Sequence, residues 1–142
     1  MISKLTMDDI FVGKQYVFKI TITEDLIQGF SKLTGDYHPL HIDAEYAQKN
    51  GFDNIIAQGF LVTGFLSYVV GMNLPGENAL ILSQESKFIN PIYLNDVITF
   101  FCEVATIDTR FSIFDLKYFV TTANNVKTVS GKVKVKVRSV CN

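Results

Sequence analysis

The chain has 142 residues, of which 48% are hydrophobic, and its 13 Lys and Arg against 14 Asp and Glu give a formal net charge of −1. This length and apolar content predict one domain over residues 1–142 with one hydrophobic core. The balanced charge argues against a nucleic-acid-binding protein. The two cysteines, Cys102 and Cys141, are too few and too far apart to indicate a disulfide framework or a zinc site.

The N-terminus and the longest apolar run both argue against a secreted or membrane protein. Acidic residues appear in the opening stretch MISKLTMDD before any apolar segment, unlike in a signal peptide. The apolar run from Gly59 to Met72 is too short to span a bilayer. We therefore expect a cytoplasmic protein with no membrane insertion.

The first third of the chain predicts one strand and one helix. Residues 12–22 alternate apolar and polar side chains with a period of two, which indicates a strand. Thr23 is typical of a helix N-cap, and apolar residues follow at helical spacing until Gly35, which predicts the helix end. The stretch DAEYAQKN, residues 43–50, predicts a further helical turn or two before Gly51.

The rest of the chain predicts a buried helix and a run of strands. Residues 59–72 are apolar on nearly every face, which indicates a buried helix rather than a surface one. Strand patterns follow at 79–90, 92–107, 111–122 and 126–138, with a hairpin turn predicted at Asn124-Asn125. A buried helix followed by a meander of long antiparallel strands predicts an α+β protein whose sheet wraps around that helix, the hot dog fold. The open edge of such a sheet favours pairing into a dimer.

The last strands carry an uneven charge. Every charged side chain after Asp115 is basic, namely Lys117, Lys127, Lys132, Lys134, Lys136 and Arg138. We interpret this as a solvated strand face that blunts a sheet edge. Weak attraction for an anionic ligand such as a phosphate-bearing cofactor is the alternative.

Both histidines of the chain lie in one short segment, TGDYHPLHID, at residues 34–43. Pro39 fixes its own φ and pushes His38 toward an extended conformation, so the preceding helix cannot continue through this segment. Asp36 and His41 are five residues apart on either side of this proline. A rigid loop can hold such a carboxylate and imidazole on one water molecule, where both can exchange protons with it.

The spacing alone leaves other interpretations open. Asp36 could cap the turn after the helix, and His41 could be an interior histidine with satisfied hydrogen bonds, because this pattern has many accidental matches. His38, His41 and Asp43 could also bind a metal ion. A loop of this length rarely supplies three ligands to one ion without distant help, and the chain has no further histidine. We therefore expect no metal site.

The apolar helix offers two more candidate residues. Gly59 lies near its N-terminus, where backbone N–H groups lack partners and the helix dipole is positive. The missing side chain would let a carbonyl oxygen that gathers negative charge approach these donors. Alternatively, Gly59 only eases a tight turn into the helix. Ser67, two turns further on, either bonds to the preceding helical turn or hydrogen-bonds to Asp36 and His41.

Two segments carry a family resemblance. The segment FSKLTGDYHPLHIDAEYAQKNGFDNIIAQGFLVTGFLS, residues 30–67, resembles the signature region of the MaoC-like dehydratases, also called (R)-specific enoyl-CoA hydratases. The segment SQESKFINPIYLNDVITF, residues 83–100, is similar to the Q-S-x-x-F-x-x-P-V-x-x-G-D stretch of that family. The resemblance implies a hot dog homodimer or higher homo-oligomer. Its substrate would be an acyl thioester of coenzyme A or acyl carrier protein, with no further cofactor.

The resemblance also implies a reaction and roles for the candidate residues. The reaction is the reversible addition of water to a trans-2-enoyl thioester, which gives an (R)-3-hydroxyacyl thioester. Asp36 and His41 would form the catalytic pair, with Asp36 as the base that activates the water. The N–H of Gly59 would polarise the thioester carbonyl, and Ser67 would orient the pair.

Two positions depart from the family pattern. The family's Asn before the proline is His38 here, and the His of its H-G-M-L motif is Gln58. Both departures bear on the substrate and on efficiency rather than on the pair itself. A thioesterase of the same fold is the first alternative, disfavoured because no Asp or Glu occurs between Gly59 and Asn73. A non-catalytic acyl-thioester-binding subunit is the second.

Overall fold

A computed structural model of the chain describes residues 1–139. The helices are α1 (Glu24–Thr34), α2 (Pro39–Ile42), α3 (Ala44–Lys49) and α4 (Gly59–Tyr68), with a 3₁₀ turn at Met7–Asp9 and a π-helical turn, Val69–Asn73, after α4. The strands are β1 (Gln15–Thr21), β2 (Ala79–Phe88), β3 (Val97–Asp108), β4 (Ile113–Thr122) and β5 (Lys127–Val137). The first helix lies between β1 and the segment that contains both histidines.

Within residues 1–139, the strands form one antiparallel sheet in the order β1-β3-β4-β5-β2. The predicted antiparallel sheet is confirmed, but the predicted meander is wrong at one point, because β2 pairs with β5 and not with β3. The chain therefore crosses between Phe88 and Val97 from the edge strand β2 to β3, which lies next to the opposite edge strand β1. Strands β1 and β2 form the two edges.

The local signals at the ends of α1 are confirmed. The Thr23 hydroxyl oxygen accepts a hydrogen bond from Leu26 N at 3.3 Å, and Gly35 ends the helix with a φ of 80°. Asn125 has a φ of 60° in the turn between β4 and β5, as the sequence predicts. Strand β3 begins later than predicted, because Asp96 accepts a hydrogen bond from Tyr93 N at 2.8 Å and holds the preceding residues in a turn.

Helix α4 packs on the inner face of the sheet and forms the centre of the hydrophobic core. Val62 and Leu66 are buried against strand residues such as Phe100 and Leu116. The predicted buried helix is confirmed for the side that faces the sheet, whereas on the other side Phe60 is 76% exposed and Gly64 is exposed as well. A single sheet covers one side of a helix only, so the opposite side of α4 stays open in one chain.

Further sequence predictions concern the membrane, the cysteines and the basic strands. No helix within residues 1–139 is long and apolar enough to cross a membrane. Cys102 is buried, and this burial raises the pKa of its thiol to about 12, whereas Cys141 lies outside the described residues. On the basic strands, Lys134 lies 2.9 Å from Asp115, which agrees with a face of paired charges. These charges do not blunt a sheet edge, because β4 and β5 are interior strands.

Candidate active site

The loop after α1 fixes the Asp36 side chain by short-range hydrogen bonds. Thr34 Oγ1 accepts a hydrogen bond from Asp36 N, and Asp36 Oδ1 accepts one from His38 N, both at 3.2 Å. Pro39 then opens α2 at its first position, where the missing N–H has no intrahelical role. The second carboxylate oxygen, Asp36 Oδ2, takes no part in these bonds within the loop.

His41 lies within α2, and one of its ring nitrogens is hydrogen-bonded to the backbone. Its Nδ1 is 2.7 Å from the carbonyl oxygen of Ile56. A carbonyl oxygen can only accept, so Nδ1 carries a hydrogen and Nε2 is the nitrogen left for other partners. The Ile56 carbonyl therefore sets the tautomer and orientation of the ring.

The two predicted residues come together in space. His41 Nε2 lies 3.8 Å from Asp36 Oδ2, and the side chains are 14% and 42% exposed, respectively. This distance is too long for a direct hydrogen bond but suits two groups that hold one water molecule between them. The half-open Asp36 carboxylate and the nearly covered imidazole can thus meet solvent or substrate from one side.

Gly59 lines the same cavity as His41. It is the first residue of α4, and the cavity has a volume of about 410 Å³. The rest of the lining is mostly apolar: Phe52, Ile56, Ala57, Val62, Phe88, Ile89, Asn90, Pro91, Ile92 and Val129. The cavity therefore combines an apolar wall, an imidazole and the positive end of a helix, a combination that suits an acyl group with a polar carbonyl.

The glycine at this position also meets a packing requirement. A Cβ added to Gly59 would lie 2.7 Å from Cε1 of Phe88. The Phe88 ring in turn contacts Phe60 edge to face, with ring centroids 6.5 Å apart. Both interpretations of Gly59 from the sequence are thus compatible with its surroundings.

Ser67 does not reach the pair within one chain, contrary to the expectation that it orients Asp36 and His41. It lies eight residues after Gly59 on the same helix, which corresponds to roughly 12 Å along the axis. Its side chain lines a separate depression with Thr63 and Gln84 among its neighbours. Ser67 is exposed on α4.

Gln58 is buried and joins α4 to α1. Its Nε2 donates to the carbonyl oxygen of Ile27 at 3.2 Å and to Ser31 Oγ at 3.0 Å, and the residue is 2% exposed. Its Oε1 is buried without a hydrogen-bond partner. Gln58 directly precedes Gly59, so its hydrogen bonds tie the start of α4 to α1, the helix that precedes Asp36. Within residues 1–139 it makes no hydrogen bond to Asp36 or His41.

His38 acts as the N-cap of α2. Its Nδ1 accepts a hydrogen bond from Leu40 N at 3.2 Å, and its ring centroid lies 5.9 Å from that of His41. An Asn side chain offers a comparable acceptor at a similar reach, which explains why either residue can occupy this position. The departure from the family pattern keeps the cap, although a protonated His38 ring would lose its acceptor.

Replacing His38 by Asn should therefore change little, whereas His38→Ala should destabilise the protein. We expect a loss of about 0.5–1 kcal/mol in the free energy of unfolding for His38→Ala, since a capping acceptor is lost. Chemical denaturation of the two variants beside the unchanged protein measures this difference. Equal destabilisation by Asn and Ala would contradict the capping role.

The alternative metal site is not formed by the histidine segment. Asp43 Oδ1 accepts a hydrogen bond from Tyr46 N at 3.0 Å and caps α3. Within residues 1–139, no group of three or more His, Cys, Asp or Glu side chains is arranged to hold a metal ion. The three residues considered for a metal thus serve as a cap of α2, a cap of α3 and one member of the pair.

Two contributors to the site were not predicted. The Ile56 carbonyl orients His41, and the Phe88 ring covers Gly59. The carbonyl carries no sequence signal, because every residue has one. Phe88 does fall in the second segment with a family resemblance, but its contact with Gly59 depends on the pairing of β2 with β5.

Comparison with known proteins agrees with this architecture. Residues 11–130 match the family model described as a MaoC like domain. An (R)-specific enoyl-CoA hydratase of Rhodospirillum rubrum is 36% identical over 129 residues, which are 91% of this chain and 85% of that protein. The chain belongs to the MaoC-like dehydratase family.

Solved structures agree in fold. The (R)-hydratase from A. caviae involved in PHA biosynthesis superposes with a TM-score of 0.87 at 26% identity, covering 90% of this chain and 97% of that one. An unliganded R-hydratase of Pseudomonas aeruginosa gives a TM-score of 0.91 at 24% identity, covering 98% of this chain and 89% of that one. The predicted α+β hot dog fold is thus confirmed.

Proposed function

We propose that this protein is an (R)-specific enoyl-thioester hydratase, a hydro-lyase that reversibly adds water to a trans-2-enoyl thioester. The observation that carries this proposal is the 3.8 Å separation of Asp36 Oδ2 and His41 Nε2 beside the cavity that Gly59 also lines. The 36% identity to an (R)-specific enoyl-CoA hydratase supports the same reaction.

The pair supplies both proton transfers of the hydration. A water molecule held between Asp36 and His41 attacks C3 of the enoyl group, and Asp36 Oδ2 takes one of its protons. The proton that Asp36 took from this water is then delivered to C2 while His41 Nε2 holds the water in position, so the elements of water are added across the double bond. Both side chains thereby return to their starting state. Dehydration follows the same steps in reverse.

Gly59 polarises the substrate in this scheme. Attack at C3 moves negative charge onto the thioester carbonyl oxygen, and the N–H of Gly59 at the start of α4 would donate a hydrogen bond to this oxygen. The positive end of the helix dipole acts in the same direction. The apolar wall of the 410 Å³ cavity would enclose the acyl chain.

The substrate carrier is coenzyme A or acyl carrier protein, whose shared thiol arm would extend from the cavity toward solvent. The proposed chemistry uses the substrate thioester, water and the chain's own residues, without a further cofactor. The cytoplasmic location expected from the sequence stays a prediction.

A homodimer completes the proposal. The open side of α4 exposes Phe60, and the edge strand β2 beside it exposes Leu80 and Leu82. Apolar side chains next to an unpaired strand edge are typical of a surface that a second copy covers. A partner placed there would give α4 the burial on its open side that its sequence predicts.

Incubation of the protein with crotonyl-CoA and longer trans-2-enoyl-CoA esters tests the reaction. We expect loss of the absorbance of the conjugated thioester and formation of the (R)-3-hydroxyacyl product, identified by chiral chromatography. Release of free thiol would instead identify a thioesterase. Binding of the esters without any turnover would identify a non-catalytic subunit, and either result would overturn the proposal.

A further inference from the structure

The outer face of the sheet, which points away from α4, carries an exposed apolar row. Val17, Phe101 and Phe119 are register neighbours on β1, β3 and β4, and each is between 37% and 54% exposed. The two phenylalanine rings stack with centroids 4.9 Å apart and an interplanar angle of 21°. They line a depression of about 390 Å³. We call these three residues the outer-face patch.

A charged row lies directly beside the outer-face patch. Glu103 on β3 accepts hydrogen bonds from Gln15 Nε2 at 2.7 Å, and Lys117 Nζ on β4 lies 2.9 Å from the same carboxylate. The bonds from Lys117 and Gln15 hold the pKa of Glu103 below its ordinary value, so this carboxylate is ionised at neutral pH. One negative and one positive side chain therefore stand next to each other at the same height along the strands.

The hydration reaction does not use this surface. Along β3, the inward-pointing Phe100 and Cys102 alternate with the outward-pointing Phe101, because side chains on a strand alternate between the two faces. The cavity beside His41 lies on the inner side, where Val129 contributes to its wall. A contiguous apolar row on the far side of the sheet thus calls for a different occupant.

We propose that a second copy of this chain packs on the outer-face patch, sheet against sheet, about a two-fold axis that runs parallel to the strands between β3 and β4. Sheets that pack face to face keep their strand directions within about 30° of each other. The arrangement is isologous, so the same patch serves both copies.

The charged row selects this axis. A rotation about it exchanges β3 and β4 but preserves the height along the strands. Glu103 then faces Lys117 of the second copy, Lys117 faces Glu103 of that copy, and Phe101 lies over Phe119. The surface is complementary to itself in both charge and apolar character.

The other axis in the plane of the sheet gives a poorer match. A two-fold axis perpendicular to the strands through the outer-face patch would place Glu103 over Thr99 of the second copy. It would also place Lys127 over Lys132, an unfavourable contact between like charges. The charges therefore favour the axis parallel to the strands.

The favoured arrangement brings like charges near each other only at its rim. Lys19 on β1 and Lys127 on β5 of the other copy approach at the same height. Strands β1 and β5 flank the central strands β3 and β4, where the crossing of the two sheets increases their separation, and exposed charges there are screened by salt. Lys127 is also held over its own Phe119 ring, with its Nζ 5.2 Å from the ring centroid.

Charge reversal tests this interface through the molar mass in solution. We expect Glu103→Lys and Lys117→Glu each to halve the mass of the unchanged protein, measured by light scattering over a dilution series, because like charges then face each other. A mixture of the two variants should return to the full mass, since each supplies the charge that the other lacks. Circular dichroism verifies that both variants are folded.

A matched control and clear contrary results complete the test. Glu77→Lys breaks another exposed ion pair, the 3.1 Å contact with Lys4, and should leave the mass unchanged. Equal masses for the unchanged protein and both single variants would overturn the proposal, as would folded variants that fail to reassociate when mixed. The result does not depend on the hydratase reaction, because mass is the readout. If the α4 and β2 surface also pairs, the unchanged protein is a tetramer and the variants are dimers.

Discussion

Replacing Asp36 by Asn should lower the kcat of enoyl-thioester hydration by about 10²–10⁴-fold, with a much smaller change in KM. The amide has the shape of the carboxylate, and its oxygen can keep the hydrogen bond from His38 N that now measures 3.2 Å. It cannot take a proton from water. The loss should therefore be chemical rather than structural, and steady-state kinetics together with thermal unfolding separate the two.

His41→Asn tests the other member of the pair in the same way. The shorter amide nitrogen can still donate to the Ile56 carbonyl, which now lies 2.7 Å from Nδ1, but the variant has no group in place of Nε2. We expect a similar fall in kcat. Because both side chains act on one water molecule, the double variant should be little slower than either single variant.

Asp43→Asn is the matched control for this pair of substitutions. It makes the same chemical change two residues after His41, at a carboxylate that caps α3 and that Asn can replace as a cap. Its kcat should stay within about twofold of the unchanged protein, as for an exposed residue without a chemical role. Losses that multiply in the double variant, or turnover that survives it, would reject the shared water.

The parts of the fold that were predictable depend on local signals. Thr23 and Gly35 bound α1 because a hydroxyl at the N-cap and a glycine with positive φ act within a few residues of the chain. The pairing of β2 with β5 has no such signal. It depends on contacts between residues far apart in the sequence, such as Gln84 opposite Val133.

The exposure of α4 shows a second limit of the sequence pattern. An apolar helix indicates burial, but it does not indicate whether the covering surface comes from the same chain. Phe60 and Ser67 lie on the side that the sheet of one chain leaves open. The family resemblance, and not this pattern, placed Ser67 beside Asp36 and His41, whereas in one chain Ser67 lies two turns along α4 from Gly59 and lines a separate depression.

In the candidate site, too, contacts between residues close in sequence were predictable and more distant contacts were not. Asp36 and His41 were predictable as neighbours because Pro39 stiffens a loop of only a few residues between them. The contact of the Ile56 carbonyl with His41 was not predictable, because every residue has a backbone carbonyl oxygen. Nor was the contact of Phe88 with Gly59, because it joins the edge strand to the helix start across 29 residues of sequence.

Gly59→Ala should lower kcat/KM by about 10²-fold, because the geometry of the donors at the start of α4 depends on the missing side chain. A Cβ there would lie 2.7 Å from the Phe88 ring, so either the ring moves into the cavity or the helix start shifts away from it. Because the same displacement can also lower stability, thermal unfolding of the variant separates a loss of folded protein from the loss of kcat/KM.

The contact with Phe88 makes this prediction specific. In a Phe88→Ala background the three atoms that lie nearest to the added methyl group, all in the Phe88 ring, are absent. Gly59→Ala should then cost less than about tenfold, which a double-mutant cycle measures as coupling between the two positions. Gly29→Ala in α1, where a Cβ contacts nothing within 4 Å, is the control for the substitution itself. If Gly59→Ala is as harmful without the Phe88 ring as with it, the ring contact is not the cause. If it is harmless in both backgrounds, the close approach of the substrate carbonyl to Gly59 is wrong.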